Sequence, residues 1–284
     1  MKEKLCGAML LATVLNLCAA PAPTASEKLG WKLGIQAWTF NRFTFYQTVQ
    51  KAKALGLRYI EAFPGQRLGG SLGDLKMGPD LPLSALATVK IWLDRAGIKL
   101  VAFGVTSLGS DEASARKVFD FAKVMGIEVI QSEPAPSLLP MIDKLCREYD
   151  IKVGLHNHPK PSRYWNPEVV LKATKGLSKY IGSCADTGHW IRSGLDPIEC
   201  LKLLRGRIVA FHMKDLNKRA RNAHDVPWGT GTAGIEQIMK EMLRQGFKGP
   251  VSIEYEYNWE NSMPDVAKCI AYFEKVAAEL LKSK

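Results

Sequence analysis

The chain has 284 residues, of which 46% are hydrophobic and 24% charged, and its formal net charge is +11. Beyond the first 25 residues, no segment is long and apolar enough to cross a bilayer, so the composition excludes a protein with several membrane spans. Lysine and arginine are scattered, and only Lys214–Arg221 is locally basic. A basic site mouth of this kind suits an anionic or carboxylated substrate about as well as DNA.

The N-terminal segment has the pattern of an export signal. Lys2 and Lys4 precede the apolar run Leu5–Leu17, and small residues and prolines follow. A basic start, a short hydrophobic middle and a small-residue end predict a signal peptide over residues 1–25 and an exported, periplasmic protein. Three cleavage positions fit this pattern, after Ala20, Ala22 or Ala25.

The cysteines leave two questions open. Cys18 raises the alternative of a lipoprotein anchor, although Leu17 is bulky where such a site has a small residue. Four cysteines remain beyond the leader, without a CxxC pair: Cys146, Cys184, Cys200 and Cys269. Export permits disulfides, and Cys184–Cys200 is the pair to check. Buried free thiols are the favoured alternative, because a domain of this size needs no covalent staple.

From residue 31 onward, short β-like runs alternate with longer amphipathic segments. In chain order the predicted strands are Leu33–Trp38, Tyr59–Ala62, Lys99–Val105, Glu128–Gln131, Lys152–Leu155, Ile181–Ala185, Ile208–His212 and Val251–Glu254. The predicted helices are 44–55, 83–96, 111–125, 136–149, 167–175, 196–203, 232–245 and 264–281. Eight strand–helix units predict a single α/β domain over residues 31–284, a (β/α)8 TIM barrel.

Glycines support this alternation. Gly56, Gly97, Gly126 and Gly246 each stand between an amphipathic segment and a predicted strand, where a left-handed residue turns the chain at a helix end. Two irregular stretches, 63–82 and 216–231, follow the second and seventh strands. They are therefore predicted loops at the catalytic face, which in these barrels lies at the carboxyl ends of the strands.

Four successive units end in residues that bind metals. His156, Asp186, His212 and Glu254 lie at or next to the carboxyl ends of strands five to eight, so the barrel brings them to one mouth. A lone buried histidine is more often a structural residue, but the recurrence in four units favours a bound ion. Nitrogen and oxygen ligands suit Mn²⁺, Zn²⁺, Co²⁺ or Fe²⁺, and the sequence does not choose among these four.

Three segments resemble a known superfamily. Cys184-Ala-Asp186-Thr-Gly-His189-Trp, Phe211-His212-Met-Lys-Asp215 and Ile253-Glu254-Tyr are similar to the sugar phosphate isomerase/epimerase superfamily, the xylose isomerase-like TIM barrels. The resemblance covers essentially the whole chain after the leader. It implies a metal held by Asp186, His212 and Glu254, and it implies that His189 contacts the substrate.

The chain departs from this superfamily at the fifth strand, where ketose 3-epimerases have a metal-binding glutamate and this sequence has His156. In those relatives this glutamate and the one on strand eight are paired acid/base groups. Glu133, at the end of strand four, could supply the missing carboxylate, or His158 or His189 could transfer the proton. The His156-Asn-His158 string also resembles the inosose dehydratase branch, and related exported barrels are lyases on 3-keto-glycosides.

The resemblance implies a small carbohydrate substrate and neither nucleic acid nor membrane as partner, and it leaves the oligomeric state open. Aromatic side chains near strand ends can pack on the carbon-bound hydrogens of a sugar ring. The predicted substrate-binding residues are Trp38, Glu61, Phe103, Lys214, Trp228 and Tyr257. Proton transfer is assigned to Glu254, Glu133, His189 and His158.

The expected chemistry is removal of a proton next to a metal-polarised carbonyl, which forms an enediolate. Reprotonation makes the enzyme an isomerase or epimerase, which is the first expectation, and loss of a leaving group makes it a lyase or dehydratase, which is the alternative. An apurinic-site endonuclease needs histidines on the second and third units, and the first histidine here is His156. A non-catalytic sugar-binding barrel is a further alternative that metal analysis would separate.

Overall fold

The computed structural model describes residues 22–283, so residues 1–21 of the predicted leader lie outside the described part. Eight parallel strands follow one another around a closed barrel, and the first pairs with the eighth. The strands are β1 Trp31–Gln36, β2 Tyr59–Ala62, β3 Lys99–Phe103, β4 Val129–Ser132, β5 Lys152–His156, β6 Ile181–Asp186, β7 Ile208–Met213 and β8 Gly249–Ile253.

Ten helices accompany the strands within residues 22–283. They are α1 Ala25–Lys28, α2 Phe45–Ala54, α3 Leu83–Ala96, α4 Glu112–Met125, α5 Leu139–Tyr149, α6 Pro167–Ala173, α7 Thr187–Arg192, α8 Pro197–Leu203, α9 Ile235–Arg244 and α10 Met263–Lys282. None of the helices between residues 22 and 283 has the length and hydrophobicity that a membrane span requires. The predicted barrel is confirmed.

The predicted boundaries differ from the observed ones by only a few residues. β1 ends at Gln36 rather than Trp38, because Ala37–Phe40 form a 3-10 turn that the Gln36 side chain caps by accepting the Trp38 N–H at 3.0 Å. The helices α1 and α7, which are both short, were not predicted. Gly97 and Gly126 end α3 and α4 with φ of 70° and 75°, as predicted, and Gly56 and Gly246 likewise have positive φ.

The hydrophobic core lies mainly between the strands and the surrounding helices. Phe103 on β3 packs on Phe121 of α4, with ring centroids 4.9 Å apart, and Trp228 packs on Phe273 of α10. The four cysteines of the barrel are buried and unpaired, so the favoured free thiols are confirmed and the Cys184–Cys200 bridge is not formed. Successive residues of a strand point alternately into the barrel and toward the helices. A residue two positions from one that packs on a helix therefore also points toward the helices.

Candidate metal centre

Four side chains from successive strands meet at one buried point. Each of His156, Asp186, His212 and Glu254 offers one ligand atom, and these atoms all lie within 4.8 Å of one another. His156 Nε2 lies 3.6 Å from Asp186 Oδ2, and His212 Nδ1 lies 3.0 Å from Glu254 Oε2. A tetrahedral ion with ligand bonds near 2.1 Å would set its ligand atoms about 3.4 Å apart. The arrangement therefore suits a divalent metal.

Both imidazoles are oriented from behind by carboxylates. Glu61 Oε1 lies 2.9 Å from His212 Nε2, and its other oxygen accepts the Ser252 hydroxyl at 2.6 Å. Glu133 Oε1 lies 3.2 Å from His156 Nδ1. The opposite ring nitrogens, His156 Nε2 and His212 Nδ1, are buried and have no hydrogen-bond partner within residues 22–283. Metal-binding histidines are held in this way, with one nitrogen bonded to a carboxylate and the other turned to the ion.

Lys214 supplies positive charge to the same carboxylates. Its ammonium lies 2.6 Å from Asp186 Oδ2 and also contacts Glu254 Oε2, and the side chain is buried. Burial alone would lower the pKa of Lys214, but Asp186 and Glu254 outweigh it and raise this pKa well above its usual value. Burial raises the pKa of Glu254, and Lys214 and His212 more than reverse this and keep the carboxylate ionised.

Residues that lie next to the candidate ligands in the sequence form hydrogen bonds between the carboxyl ends of neighbouring strands. The Thr187 hydroxyl donates to the Lys214 carbonyl at 2.8 Å and accepts the Lys214 N–H at 2.9 Å. A Cβ at Gly188 would lie 2.7 Å from Lys214 Cβ, so only glycine lets this lysine pass. Asn157 makes the corresponding pair of 2.9 Å bonds with the backbone of Asp186. The D-T-G-H and H-x-K-D segments are thus two sides of one contact.

His189 faces the same carboxylate from α7. Its Nε2 lies 3.6 Å from Asp186 Oδ2, and its Nδ1 lies 3.2 Å from Arg192 Nη1. Since a guanidinium only donates, Nδ1 must accept and Nε2 carries the proton. Burial, with Lys214 and His156 nearby, holds the pKa of His189 well below its usual value. His189 is therefore a neutral hydrogen-bond donor.

His158 and Glu133 form a second pair at the mouth. Glu133 Oε1 contacts His158 Nδ1 as well as His156. Burial raises the pKa of Glu133, but the bonds from the two histidines outweigh burial and lower it to about 2. The His158 ring is stacked on His189 at 5.5 Å. An ionised Glu133 thus supports His158, whose side chain is half exposed.

A cavity of about 310 Å³ opens beside this centre, and we call it the catalytic cavity. This volume lies at the lower end of the range for pockets that hold a small ligand. Both kinds of predicted catalytic group, imidazole and carboxylate, reach it. Its lining residues are Gln36, Trp38, Phe63, Pro64, Gly104, Val105, His158, His189, Glu254 and Glu256.

Only some of the predicted substrate-binding residues lie at the catalytic cavity or the metal centre. Trp38 lines the catalytic cavity, and Lys214 lies among the ligands. Phe103 and Trp228 do not reach the cavity, because their rings are buried against helices α4 and α10. Glu61 is 1% exposed behind His212, and its position favours orienting that ring rather than touching substrate.

Tyr257 is also not among the residues that line the catalytic cavity. Its ring stacks on His224 with a centroid distance of 4.2 Å. Two residues of the site, Glu256 and Arg192, were not among the predicted site residues. Glu256 lines the cavity and accepts from Arg192 at 2.9 Å. Their positions, two after Glu254 and three after His189, were the signal that could have found them, since both spacings keep a side chain on one face.

Known proteins share this architecture. An uncharacterized protein from Parabacteroides distasonis is 37% identical, with a TM-score of 0.72 over 87% of this chain and 99% of that chain. IolI, solved with a zinc atom, is 17% identical, with a TM-score of 0.65 over 87% of this chain and 98% of its own. Solved structures named as sugar isomerases, epimerases or epimerase-like proteins have the same fold at 13–18% identity.

Among curated proteins, inosose dehydratase of Clostridium botulinum is 24% identical over 150 residues. The match covers 47% of this chain and 48% of the dehydratase, so the chain spans about half the length of this curated relative. The family described as xylose isomerase-like TIM barrel matches residues 49–273, which contain all four candidate ligands. The chain therefore belongs to the xylose isomerase-like TIM barrel family.

Proposed function

We propose that the protein is a divalent-metal-dependent carbohydrate enzyme that removes a proton next to a carbonyl group, and that it is a sugar isomerase or epimerase. The observation that carries the proposal is the convergence of two imidazoles and two carboxylates on one buried point beside a cavity. The zinc atom in IolI and the epimerases among the similar folds support it.

A divalent ion held by His156, Asp186, His212 and Glu254 would polarise a substrate carbonyl and stabilise the charge that develops when the neighbouring proton leaves. Glu254 belongs to the ligand set and also lines the catalytic cavity, so its ionised carboxylate is the base. His189 donates its Nε2 proton to a substrate oxygen. His158, held by Glu133, returns a proton from another part of the wall.

Elimination is the second candidate, and a specific feature favours it. Apart from Glu254, the carboxylate that lines the catalytic cavity is Glu256, and Arg192 and Lys214 both hold it, at 2.9 and 3.4 Å. Within residues 22–283, this lining thus has no carboxylate without a basic partner that could act with Glu254 in a two-carboxylate epimerisation. A histidine such as His158 can instead protonate a departing oxygen. The similarity to inosose dehydratase agrees with this alternative.

Incubation of the metal-loaded protein with 3-keto-glycosides and free ketoses in D₂O tests both candidate reactions, isomerisation or epimerisation and elimination. Deuterium in the substrate carbon skeleton without bond cleavage indicates isomerisation or epimerisation, and a released aglycone indicates elimination. Glu254→Gln should abolish both outcomes while leaving the fold intact, and Glu279→Gln, on the exposed side of α10, is the matched control. Failure of the wild-type protein to exchange or cleave any of these sugars would overturn the proposal.

A further inference from the structure

A second cavity of about 470 Å³ adjoins the catalytic cavity, and we call it the outer cavity. The two share Trp38 and Phe63 as lining residues. Trp38 is 40% exposed and meets Phe63 and Trp259 edge to face, at centroid distances of 5.0 and 6.4 Å. A ligand larger than one sugar ring could therefore extend from the catalytic cavity across Trp38 to Trp259.

The two cavities have opposite charge. Glu254 and Glu256 line the catalytic cavity, whereas Arg42 and Arg67 line the outer one, whose lining within residues 22–283 has no acidic side chain. Arg67 lies 3.4 Å from Asp74, a largely exposed carboxylate. Arg42 makes no ion pair within that described range. Its planar guanidinium is thus available for a carboxylate, which it can bind through two parallel hydrogen bonds.

Contacts within the protein hold the backbone of the outer cavity around Phe43, Gln66 and Arg67. The Phe45 N–H donates to the Arg67 carbonyl at 2.8 Å, which ties the loop after β2 to the start of α2. Gln66 is buried, and its side-chain amide donates to the Phe43 carbonyl at 3.2 Å. The Lys51 ammonium lies 3.9 Å from the centre of the Phe43 ring. Binding there would need little ordering of this backbone, which favours affinity, and the ordering cost would fall on the Arg42 side chain.

We propose that the outer cavity binds a second, carboxylate-bearing unit of the substrate, so that the substrate is an acidic glycoside. The reacting ring lies in the catalytic cavity at Glu254, the second ring packs on Trp38 and Trp259, and its carboxylate pairs with Arg42. Aromatic faces recognise the C–H surfaces of sugar rings, and arginine recognises the acid. The position of the reacting ring rests on the proposed function, but recognition of the acid does not.

Equilibrium binding tests the acid recognition without turnover. Titration calorimetry on the zinc-loaded protein would compare cellobiouronic acid, a glucose–glucuronic acid disaccharide, with neutral cellobiose. We expect the acid to bind about tenfold more tightly, as a hydrogen-bonded charge pair would give. Arg42→Gln should remove that preference, and Arg205→Gln, an exposed arginine that does not line either cavity, should keep it. Trp259→Ala should weaken both disaccharides.

Equal affinity for the two disaccharides, or an unchanged preference in Arg42→Gln, would overturn the assignment of the outer cavity. Turnover separates this from the proposed function. If no keto-sugar reacts but the Arg42-dependent preference is found, the outer site stands and the reaction is wrong. If methyl 3-keto-glucoside and the 3-keto form of the acidic disaccharide react with equal kcat/KM in wild type and Arg42→Gln, the reaction stands and the outer site is wrong.

Discussion

In the D-T-G-H and H-x-K-D segments and at Glu254, some residues offer ligand atoms and others hold those residues in place. Asp186, His212 and Glu254 offer ligand atoms, while Thr187 and Gly188 only shape the path of Lys214. Glu61 holds the His212 imidazole, and Glu133 contacts both His156 and His158. Because a buried charge is stable only with partners, removal of one member leaves the others unpaired.

Loss of one imidazole should reduce metal binding. His156→Ala removes a nitrogen that has no other partner, so we expect less than one-tenth of the wild-type metal content after dialysis, with little change in far-ultraviolet circular dichroism. His224→Ala is the control, because that ring stacks on Tyr257 outside the centre. Elemental analysis of both variants measures the effect, and full occupancy in His156→Ala would remove this residue from the ligand set.

Loss of Lys214 should increase the stabilisation that a bound metal ion gives to the protein. Lys214→Met removes the ammonium from between Asp186 and Glu254, and breaking such a buried pair costs about 3–5 kcal/mol. A bound divalent ion would restore positive charge to both carboxylates. We therefore expect the rise in Tm between chelator and added zinc to be larger in Lys214→Met than in the wild type. A smaller rise would show that the lysine assists the ion rather than standing in for it.

At the scale of elements, the loop between β7 and α9 is organised by one carboxylate. Asp215 Oδ2 accepts the N–H groups of Gly229 and Gly231 at 2.9 and 3.0 Å, and Oδ1 accepts those of Leu216 and Ala233. The aspartate of the H-x-K-D segment is therefore structural. The same loop brings Asp225 within 3.0 Å of Arg192, which in turn holds His189.

Asp215→Asn should loosen this loop. An amide nitrogen would face two backbone donors, and unsatisfied buried groups cost about 1–3 kcal/mol each, so we expect a loss of about 3 kcal/mol of unfolding free energy. Amide hydrogen exchange should rise in residues 216–233 more than elsewhere. Asp94→Asn, on the exposed face of α3, should change neither quantity. Unchanged exchange at Gly229 and Gly231 in Asp215→Asn would contradict the assigned role.

The order of the elements could be predicted because short apolar runs and amphipathic segments alternate eight times, and because glycines mark the return to four of the strands. The placement of single side chains was less predictable. Asp186 through Gly188 has the composition of a turn, yet it starts α7, with Asp186 accepting the His189 N–H at 2.7 Å. Phe103 was assigned to substrate, but it lies one residue out of phase with the inner face of the barrel. The end of a strand shows how near a residue lies to the mouth of the barrel. The alternation along the strand decides whether its side chain points into the barrel or toward the helices.

At the scale of the whole molecule, the segment before β1 is joined to the barrel by α1 and its contacts. Residues up to 25 were predicted as leader, yet Thr24 caps α1 through a capping box with Glu27. Ser26 then donates to Glu274 of α10, and Arg58 donates to the Ala22 carbonyl at 2.8 Å. The folded barrel thus includes residues before position 26. Cleavage after Ala20 would keep all of these contacts, cleavage after Ala22 would keep the Thr24 cap but lose the contact to the Ala22 carbonyl, and cleavage after Ala25 would remove the cap.

Two recombinant chains, one beginning at Ala22 and one at Ser26, should therefore differ in stability. The shorter chain lacks the Thr24 cap, which is worth about 1 kcal/mol, and the Tm of a domain of this size falls by roughly 2–4 °C per kcal/mol. Thr24→Ala in the longer chain should reproduce most of this loss. Thr88→Ala, within α3, should not. Equal Tm values for the two chains would mean that α1 adds nothing to the barrel, and the closure of β1 against β8 would then have to depend on the strands alone.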